Sequence, residues 1–178
     1  MIGVLVSGEG SNLQALIDAD LPVVAVASNK EGARALGRAD AAGVPAGAFE
    51  LEGFTDRVQR DVTMANWLQE HGVRLVVCAG YMHLLTDAFL DRFPSRIVNV
   101  HPSLLPEFPG ARAIDDAIAA GVETTGVTVH LVDEGLDSGP VVRQEPVPVE
   151  PRETLVERIH AVEHRLLPEA VEELLCAH

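Results

Sequence analysis

Short apolar runs alternate with amphipathic stretches through the first half of the chain. Ile2 to Val6, Val23 to Ser28 and Ala46 to Phe49 read as strands, and Asn12 to Ala19, Gly32 to Ala42 and Thr55 to Glu70 between and after them read as helices. This alternation predicts a parallel sheet with crossover helices. Leu75 to Ala79 is apolar at every position, as expected of a strand covered on both faces, and a helix near Thr86 to Phe93 leads into a strand from Ile97 to Val100. The second half changes character. It predicts a helix near Ile114 to Ala120, a strand from Gly126 to Val132, a turn-rich segment to Gly139 and an extended stretch through Val149. A last helix starts near Arg152, with Leu155, Ile159, Val162 and Leu166 as its apolar stripe and His160, Glu163 and His164 on other faces. Pro168 is expected to kink that helix or begin a new turn. The fold expected is α/β: a single-domain, Rossmann-like open sheet over residues 1–178, mostly parallel, with helices on both faces.

Composition narrows the class. Hydrophobic residues make up 47% and charged residues 22%, ordinary for a globular domain, and no apolar run is long enough to span a bilayer. Met1 leads directly into a strand with no signal-peptide pattern, so a soluble, cytoplasmic protein is expected, with no membrane partner. Thirteen basic against 27 acidic residues give a net charge of −14, which argues against a nucleic-acid partner but leaves room for a local anion site. Cys78 and Cys176 are too few for a disulfide framework and read as free thiols. The single Trp67 and single Tyr81 read as packing residues.

The candidate chemistry gathers where predicted strands end. In Asn99-Val100-His101-Pro102-Ser103-Leu104-Leu105-Pro106 an amide and an imidazole stand two residues apart, on one face of a strand, and the prolines at 102, 106 and 109 predict a stiff exit loop. An amide that can bond a carbonyl oxygen beside a group that moves protons near neutral pH suits acyl-group chemistry, though a buried polar pair followed by a turn would look the same. Ser7-Gly8-Glu9-Gly10-Ser11-Asn12 joins the first strand to the first helix and is either a phosphate loop or an ordinary glycine-rich turn; it lacks the Lys of a P-loop and the third glycine of the dinucleotide fingerprint. Leu136-Asp137-Ser138-Gly139-Pro140 carries one carboxylate in a tight turn, either to cap its own backbone or to favour and orient an imidazolium at His101. His160-Ala161-Val162-Glu163-His164 has the spacing of one zinc-protease motif, but no convincing third ligand follows, so a solvated helix face or a substrate-facing edge is expected and no metal.

Taken in order, these segments resemble the glycinamide ribonucleotide formyltransferases of the folate-dependent formyltransferase family. The likeness rests on Val4 to Ala15, Ser28-Asn29-Lys30, Ala79-Gly80-Tyr81-Met82, Asn99 to Pro106, Leu136 to Pro140 and Glu163-His164, spread over nearly the whole chain. The Asn-x-His-Pro-Ser-Leu-Leu-Pro and Leu-Asp-x-Gly-Pro blocks are shared by several folate-dependent formyltransferases, whereas Ser-Gly-x-Gly-Ser-Asn-Leu-Gln is specific to this one.

The resemblance implies formyl transfer from 10-formyltetrahydrofolate to the primary amine of glycinamide ribonucleotide, a step of purine biosynthesis, by a monomer or homodimer without a metal. It assigns catalysis to Asn99, His101 and Asp137, with Asp137 the acid that raises the histidine pKa. It gives the ribonucleotide to Gly10, Ser11, Asn12, His160, Ala161, Val162 and Glu163. It gives the folate to Arg57, Met82, His83, Leu84, Leu85 and Asn99, and to Asp133, Glu134, Gly135, Leu136 and Asp137. The departures are His83 where Arg or Lys is common, Glu9 where Asn is common, Val127 in place of a small polar residue, and an end soon after the last helix, so that a terminal strand or tail is expected to be absent. A hydrolase of the same cofactor is the nearest alternative, disfavoured by the phosphate-loop candidate. A methionyl-tRNA formyltransferase would bring basic surface for RNA, and a non-catalytic folate- or nucleotide-binding regulator is the alternative outside enzymes.

Overall fold

The computed structural model describes residues 1–177. The chain divides into two compact units, Met1–Ile97 and Val98–His178. In the first, β1 (Ile2–Val6), α1 (Ser11–Asp18), β2 (Val23–Ser28), α2 (Arg34–Ala41), β3 (Ala46–Ala48), α3 (Arg57–Glu70) and β4 (Leu75–Cys78) follow one another, ending with the short α4 (Asp87–Leu90). The strands run parallel in the order β3-β2-β1-β4. Every residue of β1 and β4 is buried, as their unbroken apolar runs require. Leu13 and Leu16 of α1 and Met64 and Leu68 of α3 are fully buried.

The second unit holds β5 (Ile97–His101), α5 (Ala113–Ala120), β6 (Thr124–Leu131), β7 (Val141–Pro148) and α6 (Leu155–Cys176). Here the pairing is antiparallel, in the order β5-β6-β7, with Asn99 opposite His130 and His101 opposite Thr128. The β6–β7 register shifts between Val129 and His130: Val129 faces Arg143 while His130 faces Val141. A bulge of this kind re-aims the side chains beside it.

Several boundaries differ from the sequence reading for local reasons. Helix α3 starts at Arg57, not Thr55, because the Asp56 side chain accepts the Gln59 N–H at 2.8 Å and caps it. Helix α4 stops at Leu90 rather than Phe93; Pro94 disfavours helical geometry in the residue before it. Strand β6 begins two residues early, at Thr124, and α6 begins at Leu155 after a 3₁₀ turn at Arg152–Thr154.

Two expectations about α6 are corrected. The helix continues through Pro168, so no new turn begins there. A proline inside a helix costs about 3 kcal/mol or more, but Leu166, Leu167 and Val171 around it are buried, as is Pro168 itself, and each such aliphatic side chain returns about 1.5–3 kcal/mol. The buried stripe also runs Leu155, Ile159, Glu163, Leu166 and Ala170, so Glu163 faces inward where Val162 was expected, and Val162 is half-buried. The spacing of four, four, three and four residues follows the helical period.

Candidate functional site

In the second unit one carboxylate gathers four polar groups. Asp137 Oδ2 accepts the Gly110 N–H at 2.8 Å and lies 3.4 Å from His101 Nδ1. Its Oδ1 lies 3.4 Å from Asn99 Nδ2 and 3.6 Å from His130 Nε2. Asn99 Nδ2 also stands 3.2 Å from His130 Nε2, as cross-strand partners should. The site is largely shielded, with His101 5% and His130 2% exposed. His130 beside it, above all, and the Gly110 N–H hold the Asp137 carboxyl below the usual carboxylate range, against the burial that pushes it up; the charges of His101 and His130 act in the same lowering sense.

Backbone carbonyls fix both imidazoles. His101 Nε2 is 2.8 Å from the Phe108 carbonyl and His130 Nδ1 is 3.0 Å from the Leu131 carbonyl. Carbonyls only accept, so each of these nitrogens carries its proton, and the nitrogens left to change state are His101 Nδ1 and His130 Nε2, the two that face Asp137.

The surrounding loops are held by specific side chains. Thr128 Oγ1 donates to the Ser103 carbonyl at 2.7 Å and accepts the Leu105 N–H at 3.1 Å, and Gln144 Nε2 bonds both Thr128 Oγ1 at 2.8 Å and the Leu105 carbonyl at 3.0 Å. The proline-rich loop that carries Phe108 is thus pinned to β6 and β7. Across the site, Asp133 Oδ1 accepts from Gly135 N at 3.0 Å and Ser138 Oγ at 2.8 Å, so this carboxylate is committed to its own turn. A Cβ at Gly139 would lie 1.8 Å from the Leu131 carbonyl oxygen, which makes glycine obligatory where the turn returns to β6. Asp137 itself sits at φ 52°, a left-handed conformation that Asp tolerates.

In the first unit the glycine-rich loop ends at Gly10, φ 73°, the N-cap of α1, which offers no side-chain cap to the first-turn N–H groups. A Cβ there would meet the Ala35 Cβ at 2.5 Å. Arg38 Nε donates to the Glu9 carbonyl at 2.7 Å and Arg34 pairs with the Glu9 carboxylate at 3.2 Å, so α2 braces the loop. Ser11 is half-buried and Asn12 is buried.

The 82–85 segment exposes Met82 and Leu84 at 62% each. Arg57 Nη2 donates to the Leu84 carbonyl, which ties this candidate folate cation to the candidate folate loop. His83, Leu85 and the exposed Glu134, Gly135 and Leu136 complete the folate candidates, the first two in this unit and the others in the second.

On α6, His160 and Ala161 are exposed, Val162 is half-buried and Glu163 is buried. His164 stacks on His160 with ring centroids 6.2 Å apart, and burial, then the His160 charge, pushes the His164 pKa down. Among the described residues no group of three His, Cys, Asp or Glu side chains is placed to hold a metal ion, and no helix is long and apolar enough to cross a membrane. Cys78 and Cys176 are free thiols, and burial pushes Cys78 up to about 12. Trp67 packs edge-on against Phe49 with centroids 5.5 Å apart.

Sequence reasoning gave His130 no role. Its signal was its place on the strand antiparallel to Asn99, which requires the β5–β6 register to be known.

A family model described as formyl transferase matches residues 1–171. A phosphoribosylglycinamide formyltransferase of Mycobacterium tuberculosis is 47% identical over 94% of this chain and 81% of its own length. The trifunctional purine biosynthetic protein adenosine-3 of Chironomus tentans is 41% identical over 96% of this chain, which spans only 13% of that protein. The crystal structure of glycinamide ribonucleotide transformylase 1 from Symbiobacterium toebii superposes with a TM-score of 0.93 at 45% identity, covering 96% of this chain and 84% of that one, so the α/β, Rossmann-like fold is shared. With a family match along nearly its whole length and relatives this similar at both sequence and structural level, the chain belongs to the formyl transferase family.

Proposed function

We propose that this chain transfers the formyl group of 10-formyltetrahydrofolate to the primary amine of glycinamide ribonucleotide, giving N-formylglycinamide ribonucleotide and tetrahydrofolate in purine biosynthesis. The observation that carries the reading is the convergence of Asn99, His101, His130 and the Gly110 N–H on Asp137. The amine attacks the formyl carbon, and the carbonyl oxygen becomes an oxyanion stabilised by the Asn99 amide and the protonated His101 ring. The bond from carbon to the folate nitrogen breaks as that nitrogen takes a proton from His101, directly or through water, and the proton that the attacking nitrogen gives up passes through water to restore His101. Asp137 faces His101 Nδ1 and orients the ring. The 3.4 Å contacts of Asp137 with Asn99 and His101 are longer than good hydrogen bonds, so a water or the developing oxyanion can take their place at low cost.

Each substrate has its own candidate residues. The first turn of α1 suits the ribonucleotide phosphate at Gly10, Ser11 and Asn12, with His160, Ala161, Val162 and Glu163 as further ribonucleotide residues. Arg57, Met82, His83, Leu84, Leu85 and Asn99, with residues 133–137, take the folate; Asp133 does so by shaping its turn. The free thiols suit the reducing cytoplasm. The test is formyl transfer assayed with both substrates against a control without the amine. Amine-dependent product supports the reading, whereas formate released equally fast without the amine would make the chain a hydrolase of the cofactor.

A further inference from the structure

Helix α3 carries a fully buried charge pair that the transfer chemistry does not use. Arg60 and Asp61 are both 0% exposed, and Arg60 Nε and Nη2 each lie 2.8 Å from Asp61 Oδ1. Breaking such a pair is far costlier than never having built it, so its remaining bonds matter. All of those described run to one segment. Asp61 Oδ2 accepts from Thr86 N at 2.8 Å and from Thr86 Oγ1 at 2.9 Å, and Arg60 Nη1 donates to His83 Nδ1 at 2.9 Å. One turn earlier on the same helix, Arg57 bonds the Leu84 carbonyl. Just after β1, Ser7 Oγ accepts the Met82 N–H at 2.9 Å while donating to Asn29 Oδ1 at 2.6 Å. Residues 82, 83, 84 and 86 are therefore each fixed by a side chain from outside the segment, and between these anchors Met82 and Leu84 are held outward in water.

We propose that Arg57, Arg60, Asp61 and Ser7 are positioning residues that clamp the 82–86 backbone into the conformation that receives the folate, with His83 Nδ1 as the acceptor joining the buried Arg60 to that segment. The proposal rests on the formyl-transfer reading for the identity of the ligand. Holding an exposed apolar pair in place before the ligand arrives removes an ordering cost that binding would otherwise bear.

The clamp sets a condition on His83. A guanidinium only donates, so Nδ1 must keep its lone pair and the ring must be neutral, with its proton on Nε2. Asn29 Nδ2 stands 3.2 Å from Nε2; a half-turn of its amide presents an acceptor there and brings its NH2 to Ser7 Oγ, which then accepts from Asn29 instead of donating to it and keeps the Met82 N–H. The groups facing His83 are Arg60, Arg57 and Asp61 from α3 and Asn29 and Lys30 from the segment after β2, with the Tyr81 ring 5.9 Å away. Burial, then Arg60 and Arg57, push the ring's pKa down; Asp61 opposes them and Lys30 adds a smaller lowering. The ring thus keeps its lone pair through neutral pH, and acid replaces it with an N–H pointed at Arg60.

The test is calorimetric affinity of the full chain for 10-formyltetrahydrofolate and, separately, for glycinamide ribonucleotide. Thr86→Val deletes one bond to Asp61 without touching the charge pair, and should weaken the folate about threefold. His83→Lys sets a cation against Arg60 and should weaken it roughly tenfold, while His83→Asn, which keeps an acceptor near the Nδ1 position, should lose several-fold less than His83→Lys. Ribonucleotide affinity should stay unchanged in all three. Lowering the pH through and below the depressed His83 value should weaken the folate in the parent more than in His83→Asn, a split that general loosening of the fold would not produce. The clamp is overturned if folded His83→Lys binds the folate normally, if both ligands weaken together, or if the parent and His83→Asn share one pH profile. A parent chain that binds the folate with this pattern yet forms no formylated product would sink the transfer reading and leave the clamp standing.

Discussion

His101 Nδ1 faces Asp137 Oδ2 at 3.4 Å while the opposite ring nitrogen, Nε2, is held 2.8 Å from the Phe108 carbonyl. One nitrogen is therefore permanently a donor, and every change in the charge of this ring takes place at the nitrogen beside the carboxylate. A proton can leave and return at one atom only, without the ring having to turn.

That relationship predicts that Asn99→Ala, His101→Ala and Asp137→Ala each lower kcat of formyl transfer, by about 100- to 1,000-fold for loss of an oxyanion donor. Because the three share bonds through Asp137, the double variants should lose much less than the product of the single losses. Steady-state kinetics on variants with parent-like circular dichroism checks this, and near-parent turnover by folded His101→Ala rejects the mechanism.

The pH dependence of stability has a definite sign. Asp137's folded pKa is depressed, chiefly by His130, so its contribution to stability is complete above the ordinary carboxylate range and is lost as pH falls through the depressed folded value. Urea midpoints measured from about pH 6 down to about pH 2 should fall less steeply for Asp137→Asn than for the parent. His130→Gln should move the acid loss to higher pH, because the main lowering influence is gone. Parallel profiles for all three proteins would show that the cluster does not bias the carboxyl.

Much of this was legible in the sequence, and what was not has identifiable causes. The strand runs of β1, β2 and β4 stood out because parallel strands covered on both faces are apolar without interruption. The pairing of Asn99 with His101 followed from strand alternation alone. The role of His130 did not, because it depends on antiparallel register and on a bulge that no local pattern announces. Arg60 and Asp61 look like any exposed polar pair in a helix, and their burial exists only through partners at positions 83 and 86. Glu163 was misplaced for a related reason: a charged residue on the apolar stripe reads as an interruption of it, although the helical period puts it there.

The turn that carries Asp137 should tolerate no side chain at Gly139. An added Cβ would stand 1.8 Å from the Leu131 carbonyl oxygen, and backbone on that side cannot step away as a side chain would. Gly139→Ala should lower unfolding free energy by about 1–3 kcal/mol and cut kcat more than the ribonucleotide KM, since the displaced turn holds Asp137. A variant with parent stability and parent kcat would mean that the turn is not the carrier of the carboxylate's position.

Prolonged dialysis against a chelator should leave the transfer rate unchanged. The His160 and His164 rings stack 26° from parallel, and no third His, Cys, Asp or Glu among the described residues completes a metal site with them. Activity lost on chelation and restored by stoichiometric zinc would overturn this and would make α6 a metal helix.

The glycine-rich loop offers the sharpest way to separate the two substrates. Gly10 supplies no side-chain cap, and the first turn of α1 carries the positive end of the helix dipole. Arg38 holds the Glu9 carbonyl at 2.7 Å from the α2 side, which braces the loop. Ser11→Asp places a carboxylate in the first turn of that helix, where it meets the positive end of the dipole and repels a phosphate. The substitution should stabilise the helix slightly, by about 0.3–1 kcal/mol, while weakening the ribonucleotide at least tenfold by the arithmetic of one displaced charge-assisted hydrogen bond, roughly 1.5–3 kcal/mol. Folate affinity should not change. A rise in thermal midpoint together with a selective loss of ribonucleotide binding is a combination that damage to the fold cannot imitate. Equal weakening of both ligands by a fully folded Ser11→Asp would show that this turn is not the ribonucleotide's own anion site, and would move the reading toward hydrolysis of the cofactor.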